Sequence, residues 1–541
     1  MVVKKYGMCY QLNLNTNKIK NNYSKINNLK SEIKKIHFIG ICGVAMSALA
    51  LALKKAGYEI TGSDVGIYPP ISTYLKENGI DYYTGWHPER MNNPDLVVVG
   101  NVASSNNPEW LYVQEHKLNY KSYPEVIKEF FVKQNSIVCA GTYGKTTSSS
   151  LLTWILKQNN FDPTYMFGGI SLNGIPSASL GDAVILNEVK NPDEERDPSS
   201  FDKLRTQDWS ILEGDEYKSA RWDNGPKFAH YSPTHLLLTS VVWDHADVYP
   251  TEQSYVDAFQ KLVNSIPTNG LIVASEKVSQ ITYHIPHIIK YGKTPDNDYQ
   301  YTNVKTSKDG LSFDIVVKPK NENLKPKTYN LITSNLGDYM ADNMTGCFAL
   351  AHQLGLEPEN IIKAITSFKN IKRRLEKRYD NDVLVFDDIA HSPKKAEAVL
   401  TSLKNIYTRH PERSEFDASQ TNEVEGSHSP RLLVVFEPNG GNRQVESIPG
   451  YNNAFVSADE VIIPRLTAIK QDPNKPEVMD GQKLAEVIGK THNNTKYIDD
   501  DNELINYLIK NTNIGDVIVF CGSHGFRGMI DQLISSFRTR R

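Results

Sequence analysis

The sequence predicts an α/β protein built as three tandem α/β domains, the first and the last of them Rossmann-like. Three observations carry this. A chain of 541 residues is too long for one hydrophobic core. Strand, turn and helix patterns restart near residues 35, 132 and 371. Two of those restarts place glycines between a buried strand and an apolar helix, where backbone N–H groups meet anions.

Taken in order, residues 1–34 are rich in Asn and Lys and lack periodicity, so they read as a loosely ordered extension. "KIHFIGICGVAMSALALALKKAGYEITGSD" then gives strand, glycine turn, helix and a second strand ending at Asp64, a βαβ unit opening a domain at 35–132. "SIVCAGTYGKTT" opens the second domain, 133–370. The third, 371–541, alternates "VLVFDDIAHSPKKAEAVLTSL", "RLLVVFEP" and "GDVIVFCGSHGF". Two polar stretches, 187–207 and 408–430, lack core-forming residues and read as surface insertions, which cost a fold little.

Composition excludes several classes. Apolar residues make up 39% and charged residues 23%, as in a soluble globular protein, and a net charge of -3 gives no basic field for nucleic acid or anionic lipid. No run approaches 18 uninterrupted apolar residues, and the N-terminus has no apolar core of signal-peptide length. The five cysteines have no metal-ligand spacing, and reduced thiols in a cytoplasmic protein fit them best. Small-molecule partners, and a monomer or weak dimer, are the expectation.

"GTYGKTT" predicts a phosphate cradle and makes the central domain a P-loop ATPase domain. Amides around Gly141, Thr142, Tyr143 and Gly144 can surround phosphate where a helix begins, Lys145 adds a point charge, and Thr146, followed by Thr147, offers a hydroxyl to Mg²⁺. The loop is shorter than the usual P-loop, and Cys139 stands at its start in place of glycine. Mg²⁺ seeks oxygen, and acids follow two later strands: Glu213 in "WSILEGDEY", and Asp244 and Asp247 flanking His245 in "HLLLTSVVWDHADVY". ATP with Mg²⁺ is therefore expected, used through positioning and charge neutralisation.

The first turn, "GICGVAM", is weaker. Gly40 and Gly43 are three apart, without the spacing of a dinucleotide site, although Cys42 and Ala45 are small. Residues Gly40, Cys42, Gly43, Val44, Ala45, Met46 and Ser47 with Asp64 suit a nucleotide diphosphate as well as NAD, and close helix packing is the alternative.

From about residue 35 to 541 the chain resembles the Mur ligases, ATP-dependent amide-forming enzymes of peptidoglycan metabolism. "GTYGKTT" is similar to the family's GT(N/H)GKTT, "DDIAHSP" to its DDxAHxP, "IKRRLE" to its RR-x-E, and "GSDVGIYPPISTYLKENGI" to its UDP-sugar domain. The resemblance implies that Lys145 and the turn amides hold ATP, that Thr146 and Glu213 bind one Mg²⁺ and His245 a second, and that Arg374 reaches the phosphates. It further implies that Asp388 and His391 meet the nucleoside end and Asn343 the adenine. Catalysis would rest on Lys145, His245 and Arg374, and the 40–47 turn with Asp64 would hold the UDP-sugar. Where the family has G-x-H-N-x-x-N, this chain has Tyr339 and Met340; Tyr143 and Gly214 are milder departures.

Two branches of that family take UDP-N-acetylmuramate, one adding L-alanine, the other the tripeptide L-Ala-γ-D-Glu-meso-diaminopimelate recovered in peptidoglycan recycling. "VVVGNVASSNNPE", "EGDEYKSARWDNGPKFAHYSP", "WDHADVY" and "FEPNGGNR" are similar to the second. Glu437, Asn439, Asn442 and Arg443 in the last segment are candidates to hold the peptide, Glu437 through its ammonium and Arg443 through a carboxylate. The implied reaction passes through an acyl phosphate, protected from water by closure of the third domain over the other two. The rival from another class is a non-catalytic sugar-nucleotide-binding homologue.

Overall fold

The computed structural model describes residues 33–67, 71–181, 208–245, 248–319, 321, 323–408, 429–468 and 478–539. The extension through residue 32, all of the 187–207 stretch, 409–428 of the second polar stretch, and Asp247 lie outside them. The chain divides into two compact units, one running to Val126 with Ala220–Asp223 added, the other holding the remaining described residues.

The first unit is a five-stranded parallel sheet of order β3-β2-β1-β4-β5, formed by β1 (Lys35–Ile39), β2 (Glu59–Asp64), β3 (Asp81–Thr84), β4 (Leu96–Val99) and β5 (Tyr120–Ser122). Strand order reverses between β1 and β4, which leaves a crevice beyond their carboxyl ends. Gly40 and Gly100 follow those two strands, and helix α1 (Val44–Lys55) starts there. Helix α2 (Pro108–Glu115) is capped by Asn107, whose side chain accepts from Trp110 N–H.

In the second unit a ten-stranded sheet has parallel strands at its centre. Here β9 (Trp209–Gly214), β6 (Asn135–Ala140) and β12 (His235–Leu238) lie side by side, with β7 (Thr164–Met166) and β8 (Ala178–Ser179) beyond β9. On the other flank run β13 (Leu271–Ser275), β14 (Ile288–Gly292), β15 (Tyr299–Ser307), β16 (Gly310–Val317) and β17 (Lys327–Thr333), the last three antiparallel. β10 (Lys218–Ala220) and β11 (Asp223–Pro226) pair separately. Ile137, Val138, Cys139 and Ala140 of β6 are all buried, as a central strand covered on both faces requires.

Helix α3 (Lys145–Gln158) packs under the sheet despite the run Ser148–Ser150. Three of its hydroxyls bond backward, Ser149 to the Lys145 carbonyl at 2.9 Å, Ser150 to that of Thr147 at 3.0 Å and Thr153 to that of Ser149 at 2.8 Å, so these small polar residues are buried with partners. Close approach follows: Cys347, on α4 (Tyr339–Gln353), donates its thiol to the Ser148 carbonyl at 3.4 Å. Also in the second unit, a six-stranded sheet runs β18 (Glu376–Asp380), β19 (Leu384–Asp388), β23 (Val517–Gly522), β20 (Leu432–Glu437), β21 (Glu460–Pro464) and β22 (Thr495–Ile498). Helix α5 (Pro393–Leu403) leaves the carboxyl end of β19. Among the described residues no helix is long and apolar enough to cross a membrane.

Candidate active site

Adjacent parallel strands deliver their carboxyl ends about 4.8 Å apart, and β9, β6 and β12 thereby gather the predicted phosphate and metal groups. Gly141 (φ +137°) and Gly144 (φ +82°) take backbone conformations that favour glycine. A Cβ on Gly141 would lie 2.2 Å from Thr239 Oγ1, and one on Gly144 would lie 2.4 Å from Asn343 Oδ1. Asn343 thus sits against the turn before α3. Thr142 is structural here, since its hydroxyl donates to the Val242 carbonyl at 2.8 Å and accepts from Val242 N–H at 2.9 Å.

Lys145 folds back over the turn, donating to the Gly141 carbonyl at 2.7 Å and lying 2.9 Å from Glu216 Oε2. Burial alone disfavours its ammonium, but Glu216, then Asp215 and Glu213, outweigh that and hold its pKa above the ordinary value. Glu216 is 1% exposed, also faces His245 Nε2 at 3.2 Å, and was not singled out from the sequence. The only signal for it was its place in "EGDEY", three residues after Glu213. Thr146 donates its hydroxyl to Glu213 Oε1 at 2.7 Å, and Gly168 N–H donates to Oε2 at 2.5 Å. Burial still raises the Glu213 pKa, against those two bonds and Lys145.

His245 has φ +61°; its Nδ1 lies 2.7 Å from the Tyr217 hydroxyl, and its backbone N–H donates to Asp244 Oδ1 at 2.8 Å. Burial pushes the Asp244 carboxyl up, but His245 and then Lys395 more than reverse this. The buried oxygen Asp244 Oδ2 lacks a hydrogen-bond partner, while Glu216 Oε2 is paired with the Lys145 ammonium. Glu213, Glu216 and Asp244 therefore form an anionic wall that a divalent cation would neutralise. Among the described residues no three His, Cys, Asp or Glu side chains converge on one point. Such a chemistry fits Mg²⁺, which keeps waters and substrate phosphate oxygens around one or two protein ligands.

The turn 371–376 divides the work of its two arginines. Arg373 is structural, donating to Asp387 at 3.0 Å and to the Gly522 and His524 carbonyls at 2.6 and 2.7 Å. Arg374 is half-buried, and its charge acts on Asp388, His391 and Lys395. Asp388, expected at the nucleoside end, lies buried at the end of β19. Its two oxygens accept from Leu375 N–H at 2.7 Å and Ala390 N–H at 2.8 Å, so it fixes the loop that carries Arg374. His391 bonds the Ile389 carbonyl through Nδ1 at 2.7 Å, which puts the proton on Nδ1 and leaves Nε2 as an acceptor. Burial first, then Lys395, pushes its pKa down to about 3, so the ring is neutral.

The four peptide candidates all have partners within the fold. Arg443 is buried and donates to the Met479 and Thr467 carbonyls at 2.9 and 2.8 Å. Glu437 accepts from Thr467 N–H at 2.7 Å and lies 3.5 Å from Arg527. Asn439 caps the following turn by accepting from Asn442 N–H at 3.0 Å, and the Asn442 side chain donates to it at 2.7 Å. Buried Glu437 and Arg443 thus tie this loop to the Thr467 and Met479 segments, while Asn439 and Asn442 shape its turn. Met340 is fully buried in the core, and Tyr339 packs against the cores on both sides.

In the first unit, Gly40 (φ +87°) donates its N–H to the Ser63 carbonyl at 2.8 Å. Asp64 accepts from the N–H groups of Cys42 at 2.8 Å, Val65 at 2.8 Å and Gly66 at 3.0 Å, so its carboxylate shapes the glycine turn. The Cys42 thiol is pushed up to about 11 by burial and by Asp64. Val44 is exposed at the start of α1, Met46 is buried, and Ser47 donates its hydroxyl to the Val44 carbonyl at 3.0 Å.

Residues 35–134 match the Mur ligase family, catalytic domain, and residues 139–351 the Mur ligase middle domain. A UDP-N-acetylmuramate--L-alanyl-gamma-D-glutamyl-meso-2,6-diaminoheptandioate ligase of Haemophilus influenzae is 32% identical over 378 residues, 69% of this chain and 77% of that protein. The chain belongs to the Mur ligase family. It is an ATP-dependent ligase joining an acid to an amine in peptidoglycan metabolism, with release of ADP and phosphate. A UDP-N-acetylmuramate--L-alanine ligase of Clostridium acetobutylicum is 27% identical over 505 residues, 92% of this Mur ligase and 96% of that protein. Among solved structures, a murein peptide ligase from Psychrobacter arcticus covers 93% of this Mur ligase and 98% of its own chain, at 25% identity and a TM-score of 0.65. The three-domain α/β fold is the one these neighbours share.

Proposed function

We propose that this Mur ligase joins the lactyl carboxylate of UDP-N-acetylmuramate to the α-amine of L-Ala-γ-D-Glu-meso-diaminopimelate, the tripeptide recovered in peptidoglycan recycling. The observation that carries the reaction type is the Lys145, Glu213, Glu216 and His245 constellation around a glycine cradle. The tripeptide as acceptor is supported by the Haemophilus relative and by an Escherichia coli ligase of the same description, 30% identical over 378 residues. Alanine ligases match over more of the chain at lower identity, and L-alanine is the second reading.

A carboxylate does not condense with a protonated amine, because oxide is a poor leaving group, so the acid must first be activated. The γ-phosphoryl group of ATP passes to the lactyl oxygen, breaking the bond to ADP. The deprotonated peptide amine then adds to the acyl carbon through a tetrahedral intermediate, and phosphate leaves as the amide forms. Lys145 and the Gly141–Gly144 amides hold the phosphates in line, and Arg374 counters charge on the group in transit. Thr146, Glu213 and His245 would hold Mg²⁺, which when bound supplies charge neutralisation at the phosphate oxygens. For His245 that requires one ring nitrogen to exchange its present partner, Glu216 or Tyr217. The three-domain limits 35–132, 133–370 and 371–541 belong to the same proposal.

The test supplies UDP-N-acetylmuramate, ATP and Mg²⁺ with alanine, tripeptide, or a tripeptide ending in lysine, following phosphate release and weighing the product. The tripeptide adduct is expected; an alanine adduct alone moves the chain to the second reading, and no ADP with any amine overturns both.

A further inference from the structure

Helix α5 opens with Pro393, Lys394 and Lys395 and no acid in its first turn, against the field at a helix N-terminus, which disfavours cations. The two lysines differ in surroundings. Lys394 is exposed and reaches Glu397 at 3.5 Å. Lys395 turns inward, with a side chain 20% exposed and Nζ 3.7 Å from Asp244 Oδ2. The same Nζ donates to His391 Nε2 at 3.4 Å and stands 5.7 Å from the centre of the Tyr143 ring.

Two cations from other segments act on Lys395: Lys145 of the cradle and Arg374 of the 371–376 turn. Burial first, then Lys145 and Arg374, pull the Lys395 amine below its ordinary value, although Asp244 and Glu216 oppose them. His391 is neutral and gives no counter-charge. Asp244 at 3.7 Å is beyond charge-assisted hydrogen-bond length, and its Oδ2 is without a hydrogen-bond partner. A cation opposed by burial, helix field and two neighbours is unfavourable in the free protein. A polyanion with several oxygens at that point offsets these effects by Coulombic attraction.

We propose that Lys395 binds the triphosphate of ATP from the start of α5, and that the Tyr143 ring face beneath it holds the ammonium in place. This rests on the reading that the triphosphate lies in the Gly141–Thr147 cradle. It also gives a role to Tyr143, whose larger ring stands where the family motif has His or Asn.

The experiment measures affinities of the full chain, with Mg²⁺, for β,γ-methylene-ATP and for adenosine by calorimetry or competition. The comparison covers wild type, Lys395→Met, Lys395→Arg, Tyr143→Leu, Lys394→Met and Lys145→Met. Lys395→Met should weaken the ATP analogue about tenfold or more and leave adenosine within about twofold, as loss of one charge-assisted contact does. Lys395→Arg should recover most of the affinity, Tyr143→Leu should weaken the analogue about threefold, and Lys394→Met should match wild type. Wild-type analogue affinity in Lys395→Met, with loss in Lys145→Met, overturns the Lys395 assignment and leaves the cradle standing. Unchanged affinity in both overturns the cradle reading as well. Equal loss of analogue and adenosine in Lys395→Met assigns Lys395 to packing and also overturns the proposal. Lys395→Gln repeats the comparison if the methionine variant does not fold.

Discussion

Glu216 sits between two groups that want opposite things from it. It neutralises Lys145 at 2.9 Å and faces His245 at 3.2 Å, yet ATP brings further negative charge to the same lysine. Glu216→Gln should therefore tighten ATP binding in EDTA by about tenfold, through removal of one like charge worth roughly 1.5 kcal/mol. With Mg²⁺ present the same variant should turn over at least tenfold more slowly, because the anionic wall that suits the metal is weakened. Nucleotide titrations with EDTA and with Mg²⁺ read the two effects separately; equal shifts in both would mean that Glu216 acts only on Lys145. Gly214 supports a different prediction. A Cβ there would lie 2.8 Å from both Ala140 Cβ and Val138 Cγ1, so Gly214→Ala should cost about 1–3 kcal/mol by overpacking, read as a lower melting temperature. The motif made Lys145, Thr146 and Glu213 legible because the cradle requires those residue types at that spacing. Glu216, Tyr217 and Lys395 were not legible, since their roles come from β9, β12 and α5 meeting in space. Asp388 and Asp64 were legible as polar groups at strand ends, but sequence does not say whether a carboxylate faces a ligand or its own backbone amides.

At the level of elements, Glu109 on α2 shows how a buried acid joins one helix to three strands of the first unit. It is 0% exposed, accepts from the Ser63 hydroxyl of β2, from the Tyr83 hydroxyl of β3 at 2.7 Å and from His87 N–H at 2.8 Å, and lies 3.7 Å from His37 of β1. Burial alone would raise its pKa, but the nearby His37 and the bonds from Ser63, Tyr83 and His87 hold it below the ordinary 4.5. Glu109→Ala orphans those donors together and should cost about 3 kcal/mol or more. Glu109→Gln should recover part of that loss. Because the folded value is depressed, the contribution is complete above the ordinary carboxylate range and is lost as pH falls through the folded value. The stability gap between wild type and Glu109→Gln should thus shrink from pH 6 toward pH 3; a constant gap would show that the ionised form gives no advantage. The strands and helices around Glu109 were readable from apolar runs and glycine turns. The network was not, because "NNPEWLYVQE" looks like a capped surface helix, and only the sheet beneath it reveals where the acid points.

For the whole molecule, the second unit contains both the cradle and the six-stranded sheet, and this sets the expected footprint of a nucleotide. Lys145 and Thr146 come from α3, Glu213 and Glu216 from the end of β9 and the residues after it, Asp244 and His245 from the segment after β12, while Arg374, His391 and Lys395 come from around β19. If ATP engages all of these, its binding energy must appear as slower opening in both sheets, since a ligand that binds only the folded form stabilises every segment that has to open to release it. At one hundred times its dissociation constant the gain is about 2.7 kcal/mol, or about a hundredfold slower exchange wherever opening breaks the site. Hydrogen exchange with β,γ-methylene-ATP and Mg²⁺ should therefore protect peptides spanning 138–150, 211–217 and 239–245, and equally those spanning 371–376 and 389–397. UDP-N-acetylmuramate alone should instead protect peptides spanning 38–47 and 61–66. Nucleotide protection confined to 138–150 would reduce the site to the cradle alone and remove Arg374 and Lys395 from it. Protection of both sheets in wild type, lost from 389–397 in Lys395→Met while 138–150 stays protected, would place the second point of attachment at the start of α5.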